Sequence, residues 1–306
     1  MTDVSTRRFT LIGLFSALLV LGGIFAVVPV NAAEGYEEMT ISPTEKRYEV
    51  DAGETINDSF IILNSGEVPF DFTTYAAPYS VTNTSYNSSY EDAPRADAYK
   101  WIQIPQVNWS ADVRETVTVP FTIQVSKTAS PGGHYGIIFA EQQPTEKPDI
   151  TGIARKKRLG MIVYITVKGE VVKAGSVTSV DIDAYQSQAP LSAKIRFDNT
   201  GNVDYLAKSQ MTVTTLFGQR VHSSQTEVVV LPDKPRDVTM QWSNVSWVGA
   251  YKVRVTTDVL GKQTVNERFV VVAPVWLIIL IVIALVFGAA NLYRTRSKRP
   301  RLRKRS

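Results

Sequence analysis

The sequence predicts an all-β chain of two tandem immunoglobulin-like β-sandwiches followed by a single transmembrane helix. Three observations predict it. Apolar and polar residues alternate with period two through most of the middle of the chain, clusters of turn-forming residues punctuate those runs, and one uncharged apolar run of about twenty residues stands near the C-terminus.

The alternation is clearest in ETVTVPFTIQV. Val117, Val119, Phe121, Ile123 and Val125 fall on one face, and Thr116, Thr118, Pro120, Thr122 and Gln124 on the other, the pattern of a half-buried strand. Pro120 has no amide hydrogen to give to a ladder, so that position is expected at an edge or a bulge. Comparable runs are TINDSFIIL, PFDFTTY, GMIVYITV, SAKIRF, KSQMTVTTL, YKVRVTT and RFVVV, and helical periodicity is absent among them. Turn signals such as Asp51-Ala52-Gly53, Asn64-Ser65-Gly66, Asn199-Thr200-Gly201-Asn202 and Phe217-Gly218 separate the runs, which implies antiparallel sandwiches. A boundary at Lys173-Ala174-Gly175 gives a first domain over 34–172 and a second over 173–273. The first is long for one sandwich, and the excess lies in a polar, tyrosine-rich stretch from Pro78 to Trp101, expected as an excursion from the sandwich.

The flanks set the topology. Arg7 and Arg8 precede LIGLFSALLVLGGIFAVV, which ends in Val30-Asn31-Ala32-Ala33 with residues suited to cleavage after Ala32, so residues 1–32 read as a secretory signal peptide, an uncleaved signal anchor being the alternative. The run from Pro274 to Tyr293 carries no charge and would rise about 30 Å as a helix, enough to cross the hydrocarbon core. The tail over 294–306 holds eight basic residues and no acid, and basic flanks stay on the cytoplasmic side, so the tail is expected inside and the two domains outside at the cell membrane. No sortase-type LPxTG precedes the run.

Composition narrows the function. Of 33 basic and 29 acidic residues, ten basic ones and Asp3 lie in the flanks, leaving 23 against 28 in the middle, about −5, which argues against nucleic acid as a partner. The chain has no cysteine, so an exported protein must be held by its hydrophobic cores alone, which suits a bacterial surface.

The stretch SPGGHYGIIFA invites a catalytic reading of His134. Pro131-Gly132-Gly133 supplies turn dihedrals and Tyr135 to Phe139 a strand, so His134 is expected at the rim of a loop. With two histidines in the chain, no GxSxG and no metal-binding spacing, an enzyme is not expected and no cofactor is implied. A glycine-rich rim would also let a ligand approach the backbone closely. Asp181, Asp183, Asp198 and Asp204 lack the spacing of a calcium loop and read as turn residues. Two constellations carry binding potential. Tyr79, Tyr86, Tyr90 and Tyr99 fall along the excursion as surface candidates, while Trp101 and Trp109 adjoin apolar strand residues and are expected in the core. Arg155, Lys156, Lys157 and Arg158 put four cations in an acidic ectodomain, a site for anionic wall polymers or for processing, or else a solvated loop.

Order and motifs add a resemblance. FDNTGNVDY, LFGQRV, VVVLPDKPRDVTMQW and GAYKVRV in the second domain look like the Ig-like modules of bacterial surface proteins. Asp51-Ala52-Gly53, ILNSG, Thr82-Asn83 before a tyrosine-bearing loop and PGGHYGIIFAE in the first domain, with a signal, two β-domains, one span and a basic tail, resemble the WxL-interacting protein family of Gram-positive surfaces. The second domain is shorter than that family's. The resemblance implies a membrane-anchored cell-surface binding or adhesion protein, with cell-wall polymer (peptidoglycan) or another surface protein as partner and the lipid bilayer engaged through the C-terminal span. A structural or accessory subunit of a membrane-associated complex is the alternative.

Overall fold

The computed structural model describes residues 36–143 and 157–297. The predicted signal peptide, Arg155, Lys156 and the tail beyond Ser297 lie outside the described residues.

Among the described residues the first domain has eleven strands, nine in its sandwich and two in a separate hairpin (β5 and β6): β1 (Met39–Ser42), β2 (Glu45–Val50), β3 (Thr55–Asn64), β4 (Phe70–Pro78), β5 (Ser80–Val81), β6 (Ser88–Ser89), β7 (Ile102–Gln103), β8 (Asn108–Ala111), β9 (Thr116–Gln124), β10 (Gly132–Gln142) and β11 (Arg158–Val167). One sheet runs β1-β3-β9-β7 and faces a second ordered β2-β11-β10-β4-β8, in which β2 and β11 are parallel. The alternation in β9 does what it predicts, sending Val119, Phe121 and Ile123 inward to meet Phe60, Ile62, Phe72, Ile138 and Met161. Beside β9, β7 opposes only Thr122 and Ile123, so Pro120 has no neighbouring strand on that side.

Strand β10 departs from alternation, being buried along nearly its whole length. Ile138 and Ala140 enter the sandwich core, while Tyr135, Ile137 and Phe139 point to the opposite face and form a separate cluster with Tyr79, Val81, Tyr164 and Leu231. The Pro78–Trp101 excursion creates that second interior. It leaves β4 and forms the β5–β6 hairpin, laying Tyr79 and Val81 over the outer face of β10 and β11, and then reaches a short 3-10 turn at Ala98–Trp101, whose Ala98 and Trp101 join the sandwich core on the other face. A run apolar without interruption is what burial on both faces requires.

The second sandwich comprises β12 (Gly175–Ile182), β13 (Tyr185–Gln186), β14 (Leu191–Asn199), β15 (Tyr205–Thr215), β16 (Arg220–Val230), β17 (Arg236–Trp242), β18 (Gly249–Val259) and β19 (Lys262–Val272). Sheet β12-β14-β17 packs on β13-β19-β18-β15-β16 around Leu191, Ile195, Phe197, Met211, Val253, Val255 and Val270. Helix α1 (Val275–Ser297) begins three residues after β19 ends. Its stretch Val275–Arg294 has mean hydropathy 2.7 and is long and apolar enough to cross a membrane.

Candidate recognition surface

The tyrosines of the excursion do not behave alike. Tyr79 is buried, its ring edge-on to Tyr164 at 6.4 Å, which withdraws it from the exposed set the sequence suggests. Tyr86 reaches into the second sandwich: its hydroxyl accepts from Leu231 N–H at 2.7 Å and donates to Lys234 C=O at 2.8 Å, and the Arg236 guanidinium lies 4.3 Å over its ring. Burial pushes its phenol up. Its backbone has φ of 60°, a left-handed conformation that disfavours a bulky L residue, so the docked contacts must offset on the order of 1–2 kcal/mol of strain.

Tyr90 is 39% exposed and stands edge-on to Phe139 at 4.9 Å. Tyr99 is half-buried, donating to Asp92 at 3.0 Å with Lys100 Nζ 5.4 Å from its ring. Of the basic run, Lys157 is exposed, while Arg158 folds back over Phe139 at 4.4 Å, lies 5.4 Å from Tyr90 and donates to the Tyr75 hydroxyl at 3.2 Å. That hydrogen bond raises the Arg158 guanidinium above its ordinary range. Tyr90 and Arg158 thus form one exposed corner of cation and aromatic, with Tyr79 and Tyr86 behind it.

His134 is not at a loop rim. It lies within β10, is buried, and places Nδ1 2.7 Å from Asp97 Oδ1 and Nε2 2.9 Å from Ser130 C=O, with the Trp101 ring 4.7 Å away. Burial alone would raise the Asp97 carboxyl, but the hydrogen bond and charge of His134 outweigh it and hold Asp97 below the usual range. The pair fastens the start of the 3-10 turn to β10.

The glycines around His134 serve close packing within the chain. A Cβ on Gly136 would come within 2.9 Å of Tyr99 N, where the excursion lies on β10. A Cβ on Gly132, at φ of 113°, would come within 2.4 Å of Asn202 C=O in the second sandwich. The glycine-rich stretch does admit a close backbone approach, and what approaches is the rest of this chain.

Asn202 opens a seam between the sandwiches that sequence reasoning missed. Gly133 N–H donates to Asn202 C=O at 2.8 Å. Asp204, assigned to a turn from sequence, is almost enclosed: Arg47 Nη1 donates to Oδ2 at 2.6 Å, the Tyr135 hydroxyl donates to Oδ1 at 3.2 Å, and Asp204 N–H donates to that same hydroxyl at 3.1 Å. Burial first, then the Asp204 charge, drives the Tyr135 phenol well up. Burial lowers the Arg47 guanidinium, yet Asp204 overcomes this and raises it. Arg47 also lies 4.0 Å over Tyr164, and Asp237 N–H donates to Thr84 C=O at 2.7 Å. The signal that could have found the seam is the apolar outer face of β10, which needs a cover.

No protein-family model matches the chain, and no curated relative does. Solved structures are similar to it. The class 5 fimbriae chaperone CfaA is 12% identical, covering 78% of this chain and 100% of its own at a TM-score of 0.36. The CsuC–CsuE chaperone–tip adhesion subunit pre-assembly complex from the archaic Csu pili of Acinetobacter baumannii is 12% identical over 76% of this chain and 98% of the other, at 0.39. The CupB2 chaperone of Pseudomonas aeruginosa is 7% identical over 76% and 100%, also at 0.39.

Proposed function

We propose that this chain is a single-span, membrane-anchored surface protein whose two locked β-sandwiches present a binding face to another protein outside the cell. The observation that carries the reading is the directness of the anchor. Only Ala273 and Pro274 separate the last strand of the second sandwich from a helix long and apolar enough to span, so a rigid two-domain body stands straight on the bilayer. The basic residues that follow the span support an orientation with that body outside.

A protein partner is favoured over peptidoglycan by the available backbone. Strands β8, β12, β16 and β17 are sheet edges, with β16 running eleven residues without proline, and such edges can take an added strand. The corner of Tyr90 and Arg158, and Tyr99 beside Lys100, supply aromatic and cationic side chains of the kind that anchor protein contacts. This agrees with what the resemblance to the WxL-interacting family implies.

The test is retention of the ectodomain, residues 34–273, on cell envelopes before and after protease stripping. Loss of retention on stripped envelopes, with weakening by Tyr90→Ala and Arg158→Ala on intact ones, is the expected result. Retention on stripped envelopes that disappears only after muramidase digestion would make peptidoglycan the ligand. A tag after Ser306 that survives protease added to intact spheroplasts checks the orientation.

A further inference from the structure

We propose that the end of the second sandwich nearest α1 is a lipid-facing collar, with the Leu216-Phe217 hairpin tip, Trp247 and Trp276 seated in the outer headgroup layer. The inference rests on the proposal that α1 spans a membrane and goes further, to how the folded body meets it.

Three chain segments meet at this end. In the sheet, Thr215 opposes Tyr251, which opposes Val270, so the β15–β16 turn overhangs toward the level at which β19 gives way to α1. The turn is a tight hairpin, with Gly218 N–H donating to Thr215 C=O and Thr215 N–H to Gln219 C=O, and it holds Leu216 61% and Phe217 99% exposed at its tip. Beside β15, Trp247 and Val248 lead into the neighbouring strand β18, and Trp247 is 65% exposed. The third segment is the exit of β19 into α1, where Trp276 stacks on Trp247 at 6.1 Å and 23°. That stack ties the first turn of the helix to the sandwich, and Tyr185 adds a hydrogen bond from its hydroxyl to Ala273 C=O at 2.8 Å.

Charge distribution agrees. No Asp, Glu, Lys or Arg occurs from Val238 to Tyr251 or from Phe269 to Tyr293, and the charge nearest in sequence to the hairpin tip is Arg220, whose sign suits phosphate headgroups. The opposite end of the same sheet differs: its β18–β19 turn is flanked by Asp258 and Lys262.

Lipid is the occupant because the covalent geometry leaves little choice. Two linking residues extend about 7 Å, and the headgroup layer is on the order of 5–7 Å thick on each side of the hydrocarbon core. If Val275 enters that core, this end of the sandwich cannot be lifted clear of the headgroups. Aromatic rings and apolar tips are the side chains that gain there, and a phenylalanine wholly in water gains nothing.

The chain contains no cysteine, so single labels are unambiguous. Full-length protein carrying Phe217→Cys, Lys262→Cys or Gly288→Cys is spin-labelled and reconstituted into phosphatidylcholine–phosphatidylglycerol vesicles, and collision with oxygen is compared with collision with an aqueous nickel chelate. The Phe217 and Gly288 labels are expected to favour oxygen and the Lys262 label the chelate. In the unlabelled chain, Trp247→Phe should diminish quenching of tryptophan emission by brominated lipid. A Phe217 label that favours the chelate while Gly288 favours oxygen overturns the collar and leaves the span standing. A Gly288 label that favours the chelate overturns the span, and the collar with it. Spin–spin broadening at Phe217 would mean that a second copy covers the tip, which also overturns the proposal.

Discussion

Asn64-Ser65-Gly66 and Asn199-Thr200-Gly201 build the same turn with the same atoms, one in each sandwich, yet only the second is wired to its neighbour. In the first, the Asn64 amide donates to Val68 and Ala111 carbonyls at 2.8 and 3.2 Å and its oxygen accepts from Gly66 N–H at 3.0 Å. In the second, Asn199 donates to Val203 and Val230 at 2.9 and 2.8 Å and accepts from Gly201 at 2.9 Å. The incoming chain crosses each glycine so closely that a Cβ would meet Tyr36 C=O at 2.4 Å in one and Val172 C=O at 2.2 Å in the other. What differs is the continuation. Glu67 and Val68 return into their own sandwich, whereas Asn202 and Asp204 bind Gly133, Tyr135 and Arg47 of the other. A turn that closes one domain doubles as a joint simply because of the residues that follow it.

Breaking the turns themselves gives the largest effect. Asn64→Ala and Asn199→Ala each strand two carbonyls and one amide, at about 1–3 kcal/mol per buried group, so each should destabilise its sandwich by roughly 3 kcal/mol in urea unfolding of the ectodomain. Only Asn199→Ala should also move the unfolding of the first sandwich. Equal and strictly local effects would mean that the seam transmits nothing.

The joint comes next. Asp204→Ala removes one partner of an ion pair whose aspartate side chain is 5% exposed and whose arginine is 36% exposed. Because the arginine keeps access to water, the loss should be smaller than for a fully buried pair, about 2 kcal/mol. Calorimetry should resolve one transition into two. Tyr86→Phe deletes a single oxygen at the other contact and leaves Leu231 N–H without its partner, for about 1 kcal/mol. A Tyr86→Phe variant as stable as the wild type would return that tyrosine to the exposed recognition set.

This contrast also marks how far the sequence could be read. The strand alternation, the turns, the excursion and the apolar helix follow from local chemistry, because period-two burial and turn dihedrals are written in neighbouring residues. The seam is not. Arg47, Tyr135 and Asp204 stand far apart in the chain, and an aspartate two residues beyond an Asn-Gly turn looks like any other turn aspartate. Tyr79 and Tyr86 depart from the surface expected of them for a related reason, since a polar stretch without periodicity gives no sign that it folds over a second interior. Yet Tyr135-Gly136-Ile137-Ile138-Phe139 did hold the clue. Five residues with no polar break describe a strand covered on both faces, and the excursion together with Leu231 of the second sandwich supplies the outer cover.

The smallest expected effect concerns what ties the end of the excursion to β10, and it can be separated by pH. Asp97, which joins the excursion to His134, is held below the ordinary carboxylate range, burial working against this and His134 prevailing. A depressed folded-state value means that its contribution is complete above the unfolded value of about 4 and is lost as pH falls through the lower, folded one. Asp97→Asn keeps the shape and removes the charge, so the gap in Tm between wild type and variant should be widest near neutrality and close below about pH 4. Asp58 in the first sandwich, and Asp237 and Glu267 in the second, are depressed by their own cations and will give both proteins a shared acid slope, which the difference cancels. A gap that stays constant from pH 6 to pH 3 would show that Asp97 holds the excursion by shape alone, and the ionic fastening of the first sandwich would then have no counterpart to the Arg47–Asp204 pair at the seam.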